Sequence, residues 1–209
     1  AHALELAREI DRAIWPRLTA LFAPRTPLSD ARVECFHGGD GKLDVYLANL
    51  PRGRGMTIAY PPRCSGVPAF VVIAPDARPH ELAHELTHAF QFAYRHPSGC
   101  ADYAWLDEGT AEWAAHLVYP TDDSEHVWRY LLRDPASLPL EQRSYDTWAF
   151  ALYLQKTLGA KAIARVYEAS RTSSSLAAID SVLPGGFARS WPDFARLAWN
   201  QEPVATGSF

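Results

Sequence analysis

Residues 84–88 read His-Glu-Leu-Thr-His. On a helix, His84 and His88 lie one turn apart and project from the same face. Two imidazoles at that spacing converge on one Zn²⁺ at about 2.0–2.1 Å each. Glu85 is offset around the helix from its neighbour His84, so it is poorly placed as a ligand. It is well placed to reach a water at the metal as general base. Leu82, Ala83, Leu86, Ala89, Phe90 and Phe92 surround the three polar residues. Polar groups in such surroundings are costly unless something holds them.

Residues 105–113, Trp-Leu-Asp-Glu-Gly-Thr-Ala-Glu-Trp, extend the pattern. Glu108 falls 20 residues after His88. The intervening Pro97-Ser98-Gly99-Cys100 lets two helices turn back on each other. A carboxylate from a neighbouring helix completes a His₂Glu set and leaves a fourth position for water. Glu112 lies one turn beyond Glu108 on the same face. There it can accept the free N–H of a metal-bound histidine, which fixes the tautomer and raises ligand basicity. Asp107 points off that face and reads as a local hydrogen-bonding residue.

His-Glu-Leu-Thr-His followed by Leu-Asp-Glu-Gly-Thr-Ala-Glu-Trp resembles the gluzincin metallopeptidases of the thermolysin and peptidase MA-like type. The 20-residue gap, the acid four residues past the ligand and the EGxAE wording all match that pattern. The resemblance implies a zincin-like fold and zinc-dependent hydrolysis of peptide or protein substrates. One Zn²⁺ would be held by His84, His88 and Glu108, with Glu85 catalytic and Glu112 behind the ligands. In aminopeptidase-like gluzincins a tyrosine on a downstream helix steadies the oxyanion, usually within YxxG. Tyr145 resembles it, although position 148 is Trp rather than Gly. Arg143 is an alternative donor, and His116 and His126 are further candidates with surface or helix-end character. Family habit and the absence of an initial Met imply a secreted or cell-envelope bacterial protein.

Other zinc families fit less well. A metzincin needs Gly and His where Gln91 and Tyr94 stand. A deformylase-like site needs a different context for Cys64, and an aspzincin needs Asp where Glu112 stands. The GxMxN element of aminopeptidase members is echoed only faintly at Gly53–Thr57, which favours an endopeptidase. Two other readings remain: a catalytically silent binding module, against which intact Glu85 argues, and a zinc hydrolase of a non-peptide amide.

The elements that must position these residues divide the chain into an α+β pattern. Residues 2–22 carry a helical repeat that Pro16 should kink or split. Leu43, Val45 and Leu47 alternate with Asp44, Tyr46 and Ala48 as a half-buried strand. The preceding Gly38-Gly39-Asp40-Gly41 predicts a hairpin with residues 32–36 as partner. Met56–Tyr60 and Ala69–Ala74 are further strands. Helices are predicted over 79–95, 106–118, 124–133, 145–158, 160–171, 174–183 and 190–200. Gly159 and Gly185 are candidate helix ends, and Ser190 is a candidate N-cap. The expected architecture is a small N-terminal mixed sheet with an N-terminal helix, then a zinc-site helix pair and a helical C-terminal body. One catalytic domain would comprise two lobes, 1–78 and 79–209. The gluzincin resemblance implies that an extended substrate would add a strand to the sheet edge through backbone hydrogen bonds, at Leu43–Ala48 or Met56–Tyr60.

Composition narrows the classes. The 209 residues are 48% hydrophobic and 21% charged, with a formal net charge of −4. Seven Trp, nine Tyr and nine Phe need a core and exclude disorder as the main state. The longest apolar stretches, 69–74 and 148–154, fall far short of the roughly 20 residues of a membrane span. No basic run marks a nucleic-acid stripe. Only Lys42, Lys156 and Lys161 are lysines among 20 basic residues, a sign of high-GC coding. The absence of an initial Met and of a signal pattern reads as a mature form or an excised domain. Cys35, Cys64 and Cys100 allow one bridge, with Cys100 paired to either of the others, or three thiols. The acidic stretch Thr121–Glu125 reads as a helix start and not as a calcium site.

Overall fold

The structure is a computed structural model that describes residues 2–34, 37–122, 124–128, 134 and 137–200, with the backbone alone for residues 125, 126, 199 and 200. The chain begins with α1 (His2–Glu9) and α2 (Trp15–Phe22), joined by a π-helical turn over Ile10–Ile14. Pro16 has no N–H to return to Arg12, and the wider turn just before it absorbs the loss. Leu6, Ile14, Leu18 and Phe22 face the core. The Tyr119 hydroxyl donates to Glu9 at 2.7 Å, and Arg17 donates to the Val118 carbonyl.

Three strands follow: β1 (Val45–Leu47), β2 (Gly55–Ala59) and β3 (Ala69–Ile73). Their order is β1-β3-β2, with β1 parallel and β2 antiparallel to β3. β3 is therefore central. Ala69, Val71 and Ile73 point into the core. The hairpin expected at Gly38–Gly41 is not formed. Residues 31–34 are not strand; the Val33 N–H closes a turn on the Asp30 carbonyl at 2.7 Å, and Cys35 and Phe36 lie outside the described residues. The loop folds on its own side chains instead: Gly38 N–H binds the Asp44 carboxylate, and Lys42 N–H binds Asp40 at 2.9 Å. β1 then finds its backbone partners on the more apolar β3.

The remaining helices are α3 (Pro79–Gln91), α4 (Cys100–Val118), α5 (Trp148–Leu158), α6 (Ala162–Ser170), α7 (Ser175–Val182) and α8 (Phe187–Asn200). The result is an α+β fold with a small mixed sheet and a mostly helical body, as the sequence pattern predicts. Pro79 occupies the first turn of α3, and Glu81 accepts the Arg78 N–H at 2.6 Å. α3 stops at Gln91, short of residue 95. The carbonyls of Phe92 and Tyr94 are taken by the Gly66 N–H at 2.9 and 2.8 Å.

α4 starts at Cys100, six residues before the apolar run that signals it. Gly99, at φ 91°, reverses the chain just ahead of it. Cys64 is the cysteine bridged to Cys100, and the bond ties the loop before β3 to the first residue of α4. The helix expected over 124–133 is a 3₁₀ turn at Ser124–Val127, and residues 129–133 lie outside the described residues. A second 3₁₀ turn, Tyr145–Thr147, precedes α5. Ser190 caps nothing. α8 begins earlier, at Phe187, whose N–H is taken by Asp180 of α7 at 2.8 Å, and Pro192 sits inside the helix. One buried cluster runs from Leu6 through Val71, Trp113 and Trp148 to Phe194. α4 crosses its middle.

Candidate metal centre

α3 presents His84 and His88 towards α4, and α4 returns Glu108. His84 Nε2 lies 3.1 Å from His88 Nε2 and 3.3 Å from Glu108 Oε2. His88 Nε2 lies 3.8 Å from the same oxygen. Ligands at about 2.0–2.1 Å from a tetrahedral ion stand about 3.3 Å apart, so the three atoms form one face of such a site. Glu108 Oε2 is buried and has no hydrogen-bond partner among the described residues. Two imidazole nitrogens and an orphaned carboxylate oxygen converging in this way fit a cation. His84, His88 and Glu108 can hold a metal ion.

Charge around the triad follows from the same geometry. Burial works against a charged His84, but Glu108 and Glu112 outweigh it and push the imidazole up to about 10. Burial would raise Glu108, yet the His84 contact and the neighbouring His88 hold it below the usual carboxylate range. Glu112 is 6% exposed, and burial is again outweighed: contacts to His80 and His84 draw it down to about 2. Its Oε1 lies 3.1 Å from His84 Nδ1, on the side of the ring away from the triad. Its Oε2 lies 3.3 Å from His80 Nε2.

Glu85 is held from the sheet. Thr57 Oγ1 on β2 lies 2.7 Å from the Glu85 carbonyl and 2.8 Å from its Oε2. β2 approaches this closely because residue 55 is glycine. A β-carbon there would stand 2.8 Å from both Glu85 Cδ and Oε1. The Tyr145 ring stacks on His84 with centroids 5.5 Å apart, and Trp128 stacks behind it at 4.8 Å. Burial first, then the charges of Glu108 and Glu85, raise the Tyr145 phenol and keep it a neutral donor.

Gly109 explains how Tyr145 arrives there. A β-carbon at that position would overlap Thr147, whose hydroxyl bonds the Trp105 and Ser144 carbonyls at 2.8 and 2.7 Å. The 3₁₀ turn bearing Tyr145 thus lies directly on α4.

The cleft consists of two hollows that share His84, Glu85 and Tyr145. One, about 500 Å³, is also lined by Arg54, His80 and Trp128. The other, about 340 Å³, is lined by Met56, Phe92, Ala104 and Glu108.

Of the remaining sequence candidates, Asp107 lines the smaller hollow and the others fall elsewhere. Arg143 does not line the cleft. Its guanidinium is spent on Asp146, the carbonyls of Leu138 and Asp134, and Ser137, so it braces the 134–146 segment. His116 has the expected helix-end position, in the last turn of α4, but it is buried rather than on the surface and lines neither hollow of the cleft. The side chain of His126 lies outside the described residues. Asp107 accepts from Tyr167 at 2.7 Å, a long-range bond rather than a local one, and burial pushes it up to about 7.

Two buried residues that the motif reading passed over complete the surroundings. His80 continues the row His80, His84, His88 at four-residue steps, which was a visible signal. Gln91 lies three residues after His88, and its Oε1 is 2.6 Å from His88 Nδ1. In the sequence it stands out only as a departure from the metzincin pattern.

No curated protein and no solved structure matches the chain. A family model described as a family of unknown function (DUF6055) matches residues 42–178, which include the whole sheet, the triad, Glu85, Glu112 and Tyr145. With more than half of its length matched, the chain belongs to that family of unknown function, DUF6055.

Proposed function

We propose that this chain is a zinc metallopeptidase of the gluzincin type that cuts within peptide chains. The observation that carries the reading is the position of Glu85. It lines both hollows of the cleft, beside a triad that forms one face of a tetrahedral site, and is oriented by Thr57 from the neighbouring strand. A zinc ion held by His84, His88 and Glu108 supplies a Lewis acid that acidifies water and polarises a carbonyl. Glu85 takes the proton of the attacking water as the C–O bond forms. It returns that proton to the amide nitrogen as the C–N bond breaks. Tyr145 donates to the carbonyl oxygen as negative charge develops there. Glu112 holds His84 from behind.

β2 is the sheet edge beside Glu85, and its outer side has no strand partner among the described residues. That favours β2 over β1 as the strand on which an extended substrate lies. Two hollows that meet at His84, Glu85 and Tyr145 leave room for a substrate that continues past the scissile bond, which supports cleavage inside a chain rather than at its end. The Cys64–Cys100 bond supports an oxidising, extracytoplasmic setting.

The test is cleavage of a diverse peptide mixture read by mass spectrometry, with zinc-loaded wild type and Glu85→Gln side by side. Internal cuts by wild type, reduced by about 10²–10⁴-fold in the variant at equal zinc content, are the expected result. Equal cutting by both proteins would refute the role of Glu85. Zinc binding with no cutting by either would favour a silent binding module.

A further inference from the structure

We propose that Gln91 is a positioning residue that fixes the tautomer of His88 and thereby aims one of the three ligand lone pairs. The inference rests on the metal centre described above. Gln91 is fully buried on the last turn of α3. Its Nε2 lies 2.8 Å from the Asp107 carbonyl oxygen. A backbone carbonyl only accepts, so the amide nitrogen must be on that side. The same Nε2 lies 2.9 Å from Thr110 Oγ1. That hydroxyl stands 2.7 Å from the Leu106 carbonyl, another pure acceptor, which takes its hydrogen. Thr110 therefore receives the second amide hydrogen of Gln91.

Both hydrogens of Gln91 are thus committed to α4, and Oε1 has one place left to point. It faces His88 Nδ1 at 2.6 Å. An oxygen at that distance requires a proton on Nδ1. Neutral His88 then carries its lone pair on Nε2, the atom 3.1 Å from His84 Nε2 and 3.8 Å from Glu108 Oε2. A freely turning amide could accept from, or donate to, the imidazole and would leave the tautomer undecided. The clamp removes that choice. It also makes the two histidines unequal: His84 is backed by an anion, Glu112, and His88 by a neutral amide. Glutamate at position 91 would lack the hydrogens that the Asp107 carbonyl and Thr110 take up.

The experiment uses ¹⁵N-histidine-labelled protein. Two-bond proton–nitrogen correlations report the His88 tautomer in the metal-free and zinc forms, and chelator competition gives the zinc dissociation constant. The wild type should show His88 protonated at Nδ1 in both forms. Gln91→Met, similar in shape but with no N–H donors and only a weakly accepting thioether, should show a mixture in the metal-free form and bind zinc about 10–100-fold more weakly. A circular dichroism melt close to wild type would confirm that the fold is kept. A folded Gln91→Met with a single Nδ1–H tautomer and unchanged affinity would overturn the proposal. So would wild-type His88 protonated at Nε2, a result that needs no variant to fold. Wild type with the expected tautomer that binds zinc but cuts no peptide would refute the peptidase reading and support this one.

Discussion

Glu108 and Asp107 are adjacent in sequence and opposite in situation, which makes them a sharp pair of probes. Glu108 offers an unpartnered oxygen to two imidazoles, whereas Asp107 is turned away and bonded to Tyr167. Glu108→Ala should lose zinc on dialysis far faster than Asp107→Ala, measured as metal per protein. Asp107→Ala should instead lower stability by about 1–3 kcal/mol, because the buried Tyr167 hydroxyl loses an acceptor. The opposite ranking of zinc retention would refute Glu108 as a ligand.

Proton linkage gives a second test at this scale. His84 is raised to about 10, so its pairing stabilises the metal-free fold fully below its ordinary 6.5 and is lost as pH rises through about 10. Zinc must expel that proton. Affinity should therefore increase about tenfold per pH unit between roughly pH 6 and 8. A flat profile in chelator competition would show that His84 does not give up a proton to the metal. His84, His88, Glu108 and Glu112 were legible in the sequence because helix spacing pairs the two histidines and the two glutamates, and the motif wording joins the pairs. Gln91 was not. The amide acquires a role only through Asp107 and Thr110 of another helix, which no local pattern encodes.

At the level of elements, the glycine after the third ligand is the most instructive position. Gly109 admits the turn carrying Tyr145 onto α4. Gly109→Ala should force the turn outward. The expected cost is about 1–3 kcal/mol of stability, with a larger fractional loss in kcat than in zinc affinity. Thermal melts and peptide kinetics would check it; unchanged kcat in a folded variant would separate Tyr145 from turnover.

Helix periodicity located α3 and the greater part of α4. It missed the first turn of α4 because Cys100–Ala104 adds little apolar signal, and that turn is set by Gly99 and the disulfide. The 38–41 loop misled for a related reason. Gly-Gly-Asp-Gly is a good local turn, but the partner of β1 is a strand more than twenty residues later, in parallel. Long-range pairing of that kind leaves no mark in local spacing.

Across the whole molecule, the change from two-residue to helical periodicity near residue 79 was enough to read an α+β fold. The route of the chain was not, because it depends on which faces meet around α4. The family match covers the sheet and the centre while leaving out α1, α2, the second half of α7 and the whole of α8. The open side of β2 has a consequence for the protein in concentrated solution. A strand edge binds backbone and takes little account of whose backbone it is. On the proposed peptidase reading, the exposed loops of a second copy are substrates too. Zinc-loaded protein should nick itself during storage with second-order kinetics, so that doubling its concentration quadruples the initial rate, while Glu85→Gln under the same conditions keeps its full length on a gel. First-order loss in wild type would place any self-cleavage within one chain and not between copies.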